Sequence, residues 1–193
     1  MENLEEKVNK IFDIPRMGHV PFTLPLYGSN STRGLYEMIK KHFKPDFEIV
    51  EIGTFHGTST LMFSLFVKKV YTVDCYNLIH YGIPTHDQLF VDAEKIFIER
   101  TKDIENIIKI KKFSSDASLD FEDNSLDAVY IDGEHDFDSV SQDIKLWSKK
   151  IKKGGILCGH DFSLPFLKSI LENENLINEL ETYPDDSWSV IIN

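Results

Sequence analysis

A doubly wound α/β fold with a mainly parallel sheet is what this sequence of 193 residues predicts. Three observations carry the prediction. Apolar runs of strand length alternate with segments of helical period along most of the chain. Those runs close on a carboxylate or a glycine-bearing turn. The hydrophobic share, 41%, is enough for one sizeable core and too little to argue for two.

Taken in order, residues 13–30 hold three of the seven prolines with Gly18, Gly28, Ser29 and Asn30, a loop composition that could cover a site. Ser31 or Thr32 can cap a helix running to about Phe43, with Leu35, Met38 and Ile39 on one face, and Pro45 and Asp46 end it. Phe47–Ile52 is apolar except for Glu48 and Glu51, which suits a parallel strand covered on both faces. Leu61, Met62, Leu65 and Phe66 give Ser59–Val67 helical spacing, and Val70–Val73 is a second strand stopping at Asp74. Strand, glycine turn, helix and strand make one βαβ unit.

Residues 77–86 form a loop, after which Leu89, Phe90, Ala93, Ile96 and Phe97 share a helical face. Ile107–Phe113 is expected as a third strand ending at Ser114-Ser115-Asp116, and Leu126–Ile131 as a fourth ending at Asp132-Gly133. Phe137, Val140, Ile144, Trp147 and Ile151 recur at steps of three or four, the clearest helical period in the chain. Lys152, Lys153, Gly154 and Gly155 read as its stop, with cations at the negative helix end and glycines for a left-handed cap. Ile156–Cys158 is a fifth strand before Gly159-His160-Asp161, Leu167–Leu180 is helical, and Trp188–Ile192 is a closing strand expected to run antiparallel. The sum is a Rossmann-like domain over 1–193, with a loop or cover segment at 1–34 and the core at 35–193.

Composition narrows the function classes. Formal charge is −11 with scattered basic residues, so nothing marks a polyanion partner and nucleic acid is not expected. Cys75 and Cys158 each sit in apolar runs and fit a reducing compartment. The acidic and basic Met1–Phe12 is not a signal core, and no run approaches a membrane span, so a cytoplasmic protein without membrane partners is expected. A homo-oligomer is left open.

In such sheets ligands bind beyond the carboxyl ends of the strands, near the point where strand order reverses. The polar strand ends are Glu51/Gly53, Asp74, Asp116, Asp132 and His160/Asp161. The Gly53–Ser59 loop lets backbone pass close to a ligand and opens a helix, although its glycines stand four apart, unlike a dinucleotide fingerprint. Asp74, about twenty residues on, is where a ribose-binding acid belongs. Asp132 and Asp161 end neighbouring strands and offer hard oxygen ligands for a cation such as magnesium.

The stretch Glu51-Ile-Gly-Thr-Phe-His-Gly-Thr-Ser-Thr60 resembles the first motif of class I S-adenosylmethionine methyltransferases, in the form found in catechol-type O-methyltransferases and the cephalosporin-hydroxylase-like group. Tyr130-Ile-Asp-Gly-Glu-His135 and Lys153-Gly-Gly-Ile-Leu-Cys-Gly-His-Asp161 are similar to two downstream segments of that group, so the resemblance runs from about Leu35 to Asp161. It implies an enzyme that moves a methyl group from S-adenosylmethionine to a small acceptor, expected to be an oxygen of a hydroxylated metabolite or sugar. Glu51, Gly53, Thr54, Gly57, Ser59, Asp74, Asp116, Ala117 and Asp132 would border the cofactor, with Asp74 on the ribose and Asp116 and Ala117 at the adenine. Asp132, Asp161 and His160 would hold Mg2+, and His135 with Asp132 would be catalytic, His135 standing where catechol-type relatives carry a lysine base. The residue after Asp161 is Phe162, where those relatives place a third ligand, asparagine; either His160, His135 or Glu134 replaces it, or the site works without a metal. Acceptor contacts are expected from residues 13–30 and 77–86, with Tyr76, His80 and Tyr81. Two rivals stand beside this reading: a non-catalytic binding or assembly module that keeps the fold, and an NAD-type oxidoreductase, which the glycine spacing disfavours.

Overall fold

A computed structural model describes residues 2–14, 32–76, 84–177 and 179–193 of the chain. The expected loop at 15–31, the candidate cap Ser31, and His80 and Tyr81 lie outside them, as do the side chains of Leu89 and Phe90.

Five parallel strands, β1 (Glu48–Ile52), β2 (Lys69–Val73), β3 (Ile107–Ile110), β4 (Leu126–Ile131) and β5 (Ile151–Gly159), are followed by β6 (Glu181–Thr182) and β7 (Trp188–Ile191). The order across the sheet is β3-β2-β1-β4-β5-β7-β6, with β7 antiparallel to both neighbours. This is the Rossmann-like architecture that the alternating pattern predicts, including the antiparallel end. Strand order reverses between β1 and β4, which pair directly through Ile49–Ile52 and Ala128–Ile131.

Helices cover both faces. On one, α1 (Leu4–Phe12), α2 (Arg33–His42) and α3 (Thr58–Ser64) bury Val8, Ile11, Leu35, Met38, Ile39, Met62 and Phe63 against the sheet. On the other, α6 (Phe137–Trp147) and α7 (Leu167–Asn173) bury Val140, Ile144, Trp147, Leu167, Ile170 and Leu171. Between β2 and β4 run α4 (Pro84–Thr101) and the short α5 (Ser114–Ala117). Among the described residues no helix is long and apolar enough to cross a membrane.

Several boundaries depart from the sequence reading. Residues 4–12, assigned there to a cover segment, form α1, started by a capping box in which Asn3 and Glu6 exchange hydrogen bonds. Thr32 makes no side-chain cap for α2; the Asp185 carboxylate, from the β6–β7 turn, accepts from Leu35 N at 2.8 Å instead. The stretch Lys152–Gly155 is not a helix stop but part of β5, where the register against β4 slips and Gly154 takes φ +79°. Basic residues followed by glycines suit a helix end and a bulge equally, and pairing with β4 decides it. Strand β3 ends at Ile110, three residues short of the expected end, because Phe113 already caps α5; α7 ends at Asn173, not Leu180.

Candidate active site

The carboxyl ends of β1, β2, β4 and β5 open on one edge of the sheet, and the β1–α3 turn is the tightest element there. Gly53 has φ +80°, and a Cβ on it would stand 2.0 Å from the Asp132 carbonyl oxygen, so only glycine lets the β1 and β4 ends meet this closely. Asp132 N to Ile52 O fixes that contact, and Gly53 N to Val73 O ties the turn to the end of β2, each at 2.9 Å. Gly57, at φ +79°, starts α3, and a side chain there would press on the Phe97 ring at 2.9 Å.

Glu51 lies wholly buried beneath this turn, accepting hydrogen bonds from the Ser59 and Thr60 hydroxyls. Burial pushes its carboxyl up to about 7; the two hydroxyls pull the other way, and Asp132 and Asp74 add to the rise. Ser59 therefore faces Glu51 inside the turn. Glu51 thus ties the start of α3 to the end of β1 from beneath the turn.

Asp74 is tied to the same loop. Its Oδ2 accepts from Thr54 N at 3.0 Å and Phe55 N at 2.9 Å, and its Oδ1 from Tyr76 N at 2.8 Å. Three of roughly four acceptor positions of a carboxylate are thus engaged by backbone, so Asp74 could accept from both hydroxyls of a ribose only if a loop N–H gave way. Burial raises the Asp74 carboxyl above its ordinary value against those three bonds. Thr54 is buried, with its hydroxyl 2.9 Å from the Tyr76 hydroxyl. Tyr76, one of the expected acceptor contacts, is buried as well and donates to Phe55 O at 3.1 Å. Asp116 does not end a strand as expected: it is exposed on α5, while Ala117 is buried in the core.

At the ends of β4 and β5, Asp132, His135 and Asp161 bring one ligand atom each within 4.8 Å of one another. His135 Nε2 lies 2.7 Å from Asp161 Oδ2, and His160 Nδ1 lies 3.0 Å from Asp161 Oδ1. Burial acts to raise the Asp161 carboxyl, but hydrogen bonds and charge from His135 and His160 outweigh it and hold the group well below the usual carboxylate range. The hydrogen bond that His135 donates to Asp161 raises the imidazole above its ordinary 6.5. His160, expected as a metal ligand, has both ring nitrogens engaged, Nδ1 with Asp161 and Nε2 donating to the Asp185 carbonyl at 2.6 Å. The cluster that could hold an ion contains His135 beside Asp132 and Asp161. Two carboxylates and an imidazole suit a divalent cation, although the nitrogen shifts preference away from magnesium toward transition metals. A cleft beside the cluster is walled by Ile131, Val140, Leu164, Leu167 and Trp188, with Asp132 to His135 at its rim.

Residues 50–162 match the family described as "Methyltransferase domain". The chain belongs to that family. Its span holds the whole β1–β5 edge, from the turn over Glu51 to Asp161. This methyltransferase domain is 30% identical over 125 residues to the uncharacterized protein R132 of Acanthamoeba polyphaga mimivirus, the match covering 62% of the chain. The chain spans about half the length of that relative, 53%. Among solved structures it is similar in fold to the O-methyltransferase NovP, with TM-score 0.60 and 16% identity over 85% of this chain and 78% of that one. It is also similar to an O-methyltransferase from Bacillus cereus in complex with SAH, with TM-score 0.58 and 15% identity over 97% and 89% of the two chains. An rRNA methylase from Streptococcus thermophilus gives TM-score 0.58 and 14% identity over 82% and 95%.

Sequence reasoning missed Asp143, which is buried on α6 with a carboxyl that burial pushes up to about 6. Its signal was visible as an acid on the face that carries Val140, Ile144 and Trp147.

Proposed function

We propose that the domain transfers a methyl group from S-adenosylmethionine to an oxygen of a small hydroxylated acceptor. The observation that carries this reading is the convergence of the Gly53 turn with the Asp132, His135 and Asp161 cluster across the β1–β4 reversal. A sulfonium donor supplies an already activated methyl group, so the chain has to align donor and acceptor and remove one proton. The Gly53–Gly57 turn, held by Glu51 and Asp74, would receive the donor. His135, oriented by Asp161, would take the acceptor proton through a ring nitrogen not bonded to that carboxylate. With a divalent cation in the Asp132, His135 and Asp161 cluster, His135 would be a ligand instead of the base, and the cation would take over by lowering the proton affinity of an acceptor oxygen bound to it. The net charge of −11 supports a small acceptor over RNA, despite the rRNA methylase among the similar folds.

The test is calorimetry with S-adenosylhomocysteine, followed by transfer of labelled methyl to a panel of hydroxylated small molecules and to RNA. Binding of the demethylated product, and label in hydroxylated compounds alone, is the expected result. No binding at millimolar product, or label in RNA alone, overturns the reading.

A further inference from the structure

We propose that Tyr76 is a positioning residue for the nucleoside end of the cofactor: it holds the Thr54–Phe55 backbone on Asp74, so that Asp74 receives one ribose hydroxyl rather than two. The inference rests on the cofactor reading above and gives a role to a residue that this reading leaves without one. Tyr76 is bonded to the turn from both its backbone and its side chain. Tyr76 N donates to Asp74 Oδ1 at 2.8 Å, while Thr54 N and Phe55 N donate to Asp74 Oδ2 at 3.0 and 2.9 Å. The tyrosine side chain closes the ring, its hydroxyl donating to Phe55 O at 3.1 Å. That bond uses the one phenolic proton, so the Thr54 hydroxyl, 2.9 Å away, is the donor to the tyrosine oxygen.

The backbone is bent to make these bonds. Phe55 has φ +43° and Tyr76 φ +46°, both non-glycine residues in the left-handed region, a conformation that persists where the surroundings hold it from several sides. A phenylalanine would fill the same place, because the Tyr76 ring packs 6.2 Å from that of Phe97, whose ring also lies against Gly57. What the buried hydroxyl adds is two directed bonds to the turn, which offset the cost of taking it out of water. The consequence falls on Asp74. Its Oδ2 is filled by the two N–H groups of the segment that Tyr76 grips, and its Oδ1 has one acceptor position left among the described residues. Asp74 is half-buried whereas Tyr76 is buried, so the carboxylate is the part of this ring that a ligand can reach. A ribose therefore meets a preset acceptor for a single hydroxyl.

The experiment is calorimetry of wild type and Tyr76→Phe with S-adenosylhomocysteine and with its 2′-deoxy and 3′-deoxy analogues. In wild type, loss of one of the two hydroxyls is expected to weaken binding at least about tenfold, and loss of the other by less than about threefold. Tyr76→Phe keeps the ring and its packing and is expected to weaken S-adenosylhomocysteine about fivefold. That loss is expected to disappear for the analogue lacking the recognised hydroxyl, since variant and analogue then remove the same interaction. Should Tyr76→Phe not fold, Thr54→Val, which takes away one of the two bonds at the tyrosine oxygen, carries the same comparison. Equal losses for the two analogues, full affinity in the variant, or the same fractional loss for all three ligands overturns the proposal, the last because a general loosening of the fold would not distinguish the ligands. If wild type binds none of the three, the cofactor reading falls and this inference with it; every other outcome leaves that reading standing.

Discussion

Glu51→Gln isolates the electrostatic cost built into the cofactor turn. The carboxyl is fully buried, and its folded value of about 7 stands above the ordinary 4.5. Below the ordinary value the group is protonated in both folded and unfolded chains and has no effect on stability. As pH rises the unfolded chain ionises first, so stability is lost progressively until the folded group also ionises, at about 7. The difference corresponds to about 3 kcal/mol, most of which falls between roughly pH 5 and pH 8.5. Glutamine keeps the neutral form: its amide oxygen accepts one hydroxyl, and the Ser59 or Thr60 hydroxyl facing its nitrogen rotates to accept. Urea denaturation of both proteins at the two pH values measures the effect. Wild type should lose about 2 to 3 kcal/mol more than the variant on going to the higher pH. Parallel pH dependence of the two proteins would refute the assignment of a neutral buried Glu51.

Gly53→Ala places a Cβ against the Asp132 carbonyl at φ +80°, and should cost more than about 2 kcal/mol in urea denaturation; a loss under about 1 kcal/mol would contradict the close approach. Asp185→Ala removes the distant acceptor at the start of α2 and should lower stability by about 1 kcal/mol, whereas a Thr32→Ala change should be nearly silent by the same denaturant measurement. Manganese should bind more tightly than magnesium in calorimetric titrations, and Asp132→Asn or Asp161→Asn should each weaken it at least roughly tenfold; wild-type affinity in both variants would remove the cation from the site.

What the sequence settled is the set of features that depend on neighbours in the chain. Apolar period located the βαβ core, because burial of one helix face or of a whole strand leaves its mark residue by residue; α6 with Val140, Ile144 and Trp147 is the clearest instance. The acids at the ends of β1, β2, β4 and β5 and the Gly53 turn were legible for the same reason, since each follows an apolar run directly, whereas Asp116 lies on α5. Capping can also be local: the Asn3–Glu6 box of α1 is written in the spacing Asn3-x-x-Glu6 alone.

Only tertiary structure decided where side chains with several available partners point. Asp185 caps a helix 150 residues away, His160 turns both nitrogens onto Asp185 and Asp161 and leaves His135 to the cluster, and Asp74 bonds the loop. Lys152–Gly155 belongs to a strand because β4 lies beside it. The physical reason is common to all four. A hydrogen bond or strand pairing is a matter of distance in space, and identical residue types satisfy several local geometries until the packed chain leaves one within reach.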